Sequence, residues 1–108
     1  VLLANPGELF SQYSLDTRSR SPFPITFPVG YANDFAGYVP TEEAFGPQGG
    51  GYETRLTSCS NLEVQAGKKM VEAALELAGQ MKPGEMPTPP PAPEGKPWTY
   101  GNVPPELE

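Results

Sequence analysis

Apolar positions along the chain change their spacing several times, and each spacing predicts a different element. Residues 1–5 begin with four consecutive apolar positions and run into Asn5-Pro6-Gly7, the pattern of a buried strand end closed by a turn. Leu9, Phe10 and Tyr13, with Ser14 and Thr17, then recur at helical spacing and predict a helix over residues 7–18. Glu8 falls in the first turn of that helix. There its carboxylate either complements the helix dipole or, set at the edge of a strand by the Pro-Gly turn, points into a site. Residues 18–24 contain two prolines and read as a connector, and residues 25–29 as a short strand weakened by Pro28, which cannot donate to a ladder. The clearest periodicity lies in residues 61–81. Met70, Val71, Ala74, Leu77, Ala78 and Met81 fall on one face and the charged residues elsewhere, predicting an amphipathic helix that packs closely on a sheet. Ser60 or Asn61 is its expected cap, and Lys68 to Glu72 an expected i,i+4 pair.

Between these elements the pattern breaks down into turn chemistry. Residues 30–41, Gly-Tyr-Ala-Asn-Asp-Phe-Ala-Gly-Tyr-Val-Pro-Thr, are a poor strand, because Asn, Asp and Gly favour turns. A loop just past a strand end is where sheets with helical layers gather ligand sites. Tyr38 stands between the permissive Gly37 and the rigid Val39-Pro40, which suits a phenol that must point one way; the plainer reading is a half-buried aromatic with a hydrogen bond at its tip. Thr41, Glu42 and Glu43 open a short helical turn that Gly46-Pro47 ends. Gly49, Gly50 and Gly51 lack the Gly-Lys-Ser/Thr continuation of a phosphate loop and read as a flexible approach that lets Tyr52 and Glu53 fold back. Residues 54–59 are irregular or a short strand.

Composition narrows the function classes. With Gly 12 and Pro 15 in 108 residues, and nine of those prolines in residues 82–108, the last quarter is an extended Pro-rich tail that buries no core, with Trp98 and Tyr100 as candidates to dock back. Residues 1–81 remain for a core, which is marginal on surface-to-volume grounds and points to a piece of a larger domain. A net charge of -6 with dispersed basic residues argues against nucleic-acid binding, and no apolar run reaches the length of a transmembrane segment. Cys59 is the single cysteine and reads as a small, semi-buried residue. The absence of histidine excludes a Ser-His-Asp or Cys-His site built from this chain alone.

Three motifs in order, Asn-Pro-Gly-Glu at residues 5–8, the run at residues 30–45 and Gly-Gly-Tyr-Glu at residues 50–53, resemble the neutral/alkaline ceramidase family. The resemblance covers residues 1–81 and implies the C-terminal portion of a larger α/β zinc hydrolase domain, of the shorter bacterial ceramidase-like type. It implies Glu8 and Tyr38 as metal ligands for Zn2+ and Tyr52 as a catalytic residue near the scissile amide. The two histidine ligands would come from the N-terminal part of the same catalytic domain. Phe35 stands where the family often has a first loop tyrosine, and Leu-Phe-Ser-Gln-Tyr replaces the Thr-Thr-x-x-Gly-Arg-Arg that usually follows the glutamate.

The implied reaction is hydrolysis of an N-acyl amide, ceramide or another lipid, by a zinc-bound hydroxide formed near neutral pH, with the Tyr52 hydroxyl helping to stabilise the oxyanion. Family resemblance also implies a secreted or periplasmic location. The residues themselves leave a second class open: a noncatalytic binding or assembly segment that docks through its amphipathic helix and Pro-rich tail.

Overall fold

The computed structural model describes residues 1–85, 87 and 88, so most of the Pro-rich tail, with Trp98 and Tyr100, lies outside the described residues. The chain is a mixed α/β fold built on two short two-stranded parallel sheets. Strand β1 (Leu2–Ala4) pairs with β3 (Phe27–Val29), and β2 (Glu8–Leu9) pairs with β4 (Tyr38–Val39), both in parallel. Helix α1 (Ser11–Arg20) makes the crossover between the two chain segments, as a parallel pair requires. Between the paired stretches the loop over residues 30–37 bulges around Pro6 and Gly7. It is tied there by the amides of Tyr31, Ala32 and Ala36, which donate to the carbonyls of Gly7, Asn5 and Pro6 at 3.2, 2.9 and 2.8 Å. The loop thus has no ladder of its own but satisfies its backbone against the turn beside it.

Helix α2 (Ala66–Gln80) lies over α1 and β1. The core consists of Tyr13, Val39, Ala66 and Val71, with Leu9, Phe10, Met70 and Leu75 packed on it. Gly67 allows the two helices to meet: a Cβ at that position would overlap the Tyr13 ring. The Tyr13 hydroxyl, buried beneath α2, donates to the Pro40 carbonyl at 3.1 Å, so helix packing also holds the chain just after β4. Burial, with the charges of Glu42 and Glu43, pushes the Tyr13 phenol above its ordinary range.

Several sequence expectations are corrected. α1 begins at Ser11, not at residue 7, because Glu8 and Leu9 are drawn into the ladder by Tyr38 and Val39; Glu8 therefore lies on a strand and not in a helical turn. The strand predicted over residues 25–29 is confined to Phe27–Val29, and Pro28 is tolerated because β3 has only one partner. Residues 42–45 form a 3-10 turn without a side-chain cap from Thr41. α2 starts five residues later than expected and has no side-chain cap; the Ser60 hydroxyl donates instead to the Glu53 carbonyl. Glu72 pairs with Arg20 of α1 at 2.7 Å, not with Lys68, because a guanidinium from the neighbouring helix reaches it directly. The buried residues of α2 are Ala66, Gly67, Val71 and Ala78, flanked by half-buried Met70, Ala74 and Leu75. Leu77, assigned to that face, is 62% exposed, and Met81 is exposed beyond the helix end.

One face of the β1–β3 pair is covered by the helices and the other is bare. Leu3 points inward, whereas Leu2 (71% exposed), Ala4, Phe27 (57% exposed) and Val29 share the open face. Parallel sheets are normally covered on both faces.

Candidate functional site

The site grows from the register of β2 against β4. Glu8 and Tyr38 are directly opposed on adjacent parallel strands, separated in sequence by α1, β3 and the loop. Opposed residues of a parallel pair project to the same face about 5 Å apart. Leu9 and Val39, the next pair, turn into the core, and so Glu8 and Tyr38 turn away from it. Two backbone contacts fix the register and a third ties β4 to the segment around Cys59. The Glu8 amide donates to the Gly37 carbonyl at 2.8 Å, the Phe10 amide to Val39 at 3.2 Å, and the Tyr38 amide to the Cys59 carbonyl at 2.8 Å. Gly37 has φ +79, and a Cβ there would overlap the Cys59 carbonyl oxygen, so only glycine lets the segment around Cys59 close on β4.

Tyr52 joins from a 3-10 turn (Tyr52–Thr54) reached through Gly50 and Gly51, whose φ angles are +129 and +105. Its ring meets the Tyr38 ring edge-on, with centroids 5.3 Å apart and planes at 79°. The neighbouring Tyr38 phenol, followed by the charge of Glu53, pushes the Tyr52 phenol up to about 12. Of the three residues singled out from the sequence, Tyr38 therefore lies opposite Glu8 at the start of the β2–β4 pair and in ring contact with Tyr52. Tyr52 is 62% exposed and Glu8 exposed, so this end of the sheet is open to solvent.

Tyr31 was missed by sequence reasoning. Its hydroxyl donates to Glu8 Oε2 at 2.6 Å, and its ring stacks on Phe35 with centroids 5.4 Å apart and planes at 11°. That hydrogen bond, with desolvation and the Glu8 charge behind it, holds the Tyr31 phenol up to about 12. The only signal in the sequence is an aromatic residue directly after Gly30, indistinguishable there from a loop residue. Cys59, expected to be semi-buried, is exposed; its carbonyl supports Tyr38, and its thiol lies near Ser58 Oγ.

As metal donors the residues supply half a shell. Glu8 and Tyr38 offer two oxygen atoms from one face, and no protein donor occupies Glu8 Oε1 among the described residues. Among the described residues no group of three or more His, Cys, Asp or Glu is assembled to hold a metal, and no helix is long and apolar enough to cross a membrane. A carboxylate and a phenol fit zinc as partial ligands, provided further donors come from other residues. Comparisons with protein-family models, with curated proteins and with solved structures return no significant match. The fold and site thus define the chain as a small mixed α/β unit carrying a carboxylate–phenol cluster at one end of a parallel ladder.

Proposed function

We propose that the chain is the C-terminal portion of a larger α/β zinc amidohydrolase domain resembling neutral ceramidase, acting on a lipid or other N-acyl amide. The observation that carries this reading is the direct opposition of Glu8 and Tyr38 across parallel strands, with Tyr52 packed against Tyr38. Two residues 30 positions apart are brought together at one strand end, where a resemblance to that family would require both as ligands. The bare apolar face of β1 and β3 supports the same reading, since a parallel sheet inside a complete domain has a second covering layer.

When bound, zinc supplies Lewis-acid activation of water and of the amide carbonyl. Glu8 contributes charge and one oxygen donor, and the Tyr38 phenol a second. Tyr52, like any phenol with an ordinary value of about 10, would keep its proton at neutral pH, and it could therefore donate a hydrogen bond to a developing oxyanion beside Tyr38.

The test is zinc content of the full-length protein by elemental analysis, for the wild type and for Glu8→Gln and Tyr38→Phe. Zinc near one per molecule in the wild type, lowered in both variants with unchanged circular dichroism, is the expected result, with ceramide or another N-acyl amide hydrolysed only by the loaded form. Wild-type zinc content in both variants, or a folded wild type that takes up no zinc, refutes the assignment.

A further inference from the structure

We propose that residues 98–103, Trp-Thr-Tyr-Gly-Asn-Val, add to the free edge of β1 as a further strand and lay Trp98 and Tyr100 over the bare face beside Leu2 and Ala4. The segment would supply, from within this chain, part of the layer that face lacks, and the inference does not rest on the zinc reading. The acceptor is an open sheet edge. The amides of Asn5 and Phe27 donate across the β1–β3 pair, to the Val29 and Val1 carbonyls at 2.8 and 2.9 Å. Alternation along a parallel pair turns the amides and carbonyls of Leu2 and Ala4 to the opposite edge, where nothing bonds to them among the described residues. Proteins normally blunt such an edge with proline or charge. Pro28 does so at the outer edge of β3, whereas Leu2-Leu3-Ala4 carries neither.

Size and sequence select the occupant. Leu2, Ala4, Phe27 and Val29 together expose a few hundred Å², well short of the ~800 Å² per partner that a stable complex between separate chains buries. A tethered segment needs less area, because its docking is intramolecular and its effective concentration high. Within residues 82–108 the longest run without proline is 98–103, bounded by Pro97 and Pro104, so it is the stretch best able to donate to a ladder. Trp98, Thr99 and Tyr100 are strong strand formers. In an extended segment Trp98 and Tyr100 project to one face, where aromatic rings pack well on apolar neighbours of the adjacent strand. Reach is sufficient. At the polyproline II rise the chain from Met81 to Trp98 can span up to ~50 Å, and α2, which packs on β1, is itself only ~22 Å long.

The experiment is hydrogen–deuterium exchange of the full-length protein, read at single amides by NMR, for the wild type, the Trp98→Ala/Tyr100→Ala pair and a deletion of residues 98–103. The Leu2 and Ala4 amides are expected to be protected in the wild type and to exchange about 10-fold faster in both variants. Asn5 and Phe27, bonded within the β1–β3 pair, are expected to keep their wild-type rates. Unprotected Leu2 and Ala4 amides in the wild type overturn the inference. Protection that both variants retain also overturns it: if independent of protein concentration it assigns the edge to the rest of a larger domain, and if lost on dilution, to a second copy of the chain. Faster exchange at Asn5 and Phe27 in the variants overturns it too, because the segment would then support the whole fold and not this edge.

Discussion

Two glycines of α2 predict opposite outcomes for the same substitution. At Gly67 a Cβ would overlap Cε2 and Cζ of Tyr13 and stand 2.6 Å from its hydroxyl oxygen; at Gly79 it would meet nothing within 4 Å. Replacing glycine by alanine inside an exposed helix stabilises by about 1 kcal/mol through the unfolded chain's lost freedom. Gly79→Ala should show that gain alone. At Gly67 the same gain is opposed by overpacking, about 2 kcal/mol for one methyl group forced into a filled contact. It is further opposed by the hydrogen bond from Tyr13 to Pro40, worth about 1 kcal/mol, which the displaced ring cannot keep. Tyr13 is only 8% exposed and is flanked by Val39 and Val71, so the ring has no free space into which to move. Gly67→Ala should therefore destabilise by about 2 kcal/mol, a fall in thermal midpoint on the order of 10 °C for a unit of this size. Urea denaturation followed by circular dichroism at 222 nm measures both variants, with Tyr13→Phe as the control that removes the hydroxyl and keeps the ring. A Gly67→Ala protein as stable as Gly79→Ala would refute the close approach of the helices at Tyr13.

Gly37→Ala should destabilise by roughly 3 kcal/mol, because it combines a positive φ with overlap on the Cys59 carbonyl, and so breaks the bond that accepts from the Tyr38 amide; urea denaturation would show a near-wild-type midpoint if the strand end were loose. Arg20 holds the Glu72 carboxyl below the usual carboxylate range, chiefly by hydrogen bonding to it. A carboxylate with a lowered folded pKa stabilises the protein above its ordinary pKa, and that stability is lost as pH falls through the folded value. Arg20→Gln should therefore lower the thermal midpoint near neutral pH more than at about pH 3, and the difference should shrink in high salt. Equal losses at both pH values would show that the ion pair contributes nothing.

The local signals that survive folding were legible in the chain itself. The Pro-Gly turn after residue 4, the strand before Gly30, the poor strand propensity of the central loop and the helical spacing after residue 65 all depend on near neighbours, and each appears close to its expected place. Motif resemblance singled out Glu8, Tyr38 and Tyr52; in the fold the first two are opposed across β2 and β4, and the ring of Tyr52 meets that of Tyr38. What sequence alone could not decide were choices between competing partners. Local spacing put Glu8 in the first turn of a helix, and pairing with Tyr38, 30 residues away, makes it a strand residue instead. Glu72 had Lys68 one turn away, but Arg20 arrives from another helix and bridges it to Asp16, one guanidinium nitrogen on each carboxylate. Leu77 was placed on the amphipathic stripe by its spacing, but it is exposed, and Leu75, outside that stripe, packs on the core instead. Tyr31 carried no periodic signal at all; its hydrogen bond to Glu8 depends on a left-handed backbone turn closing over Pro6-Gly7. Composition and short-range spacing determine which elements this chain can form, because those preferences act within a few residues. Which side chains meet is decided by long-range backbone hydrogen bonds and helix packing, whose energies no local window contains.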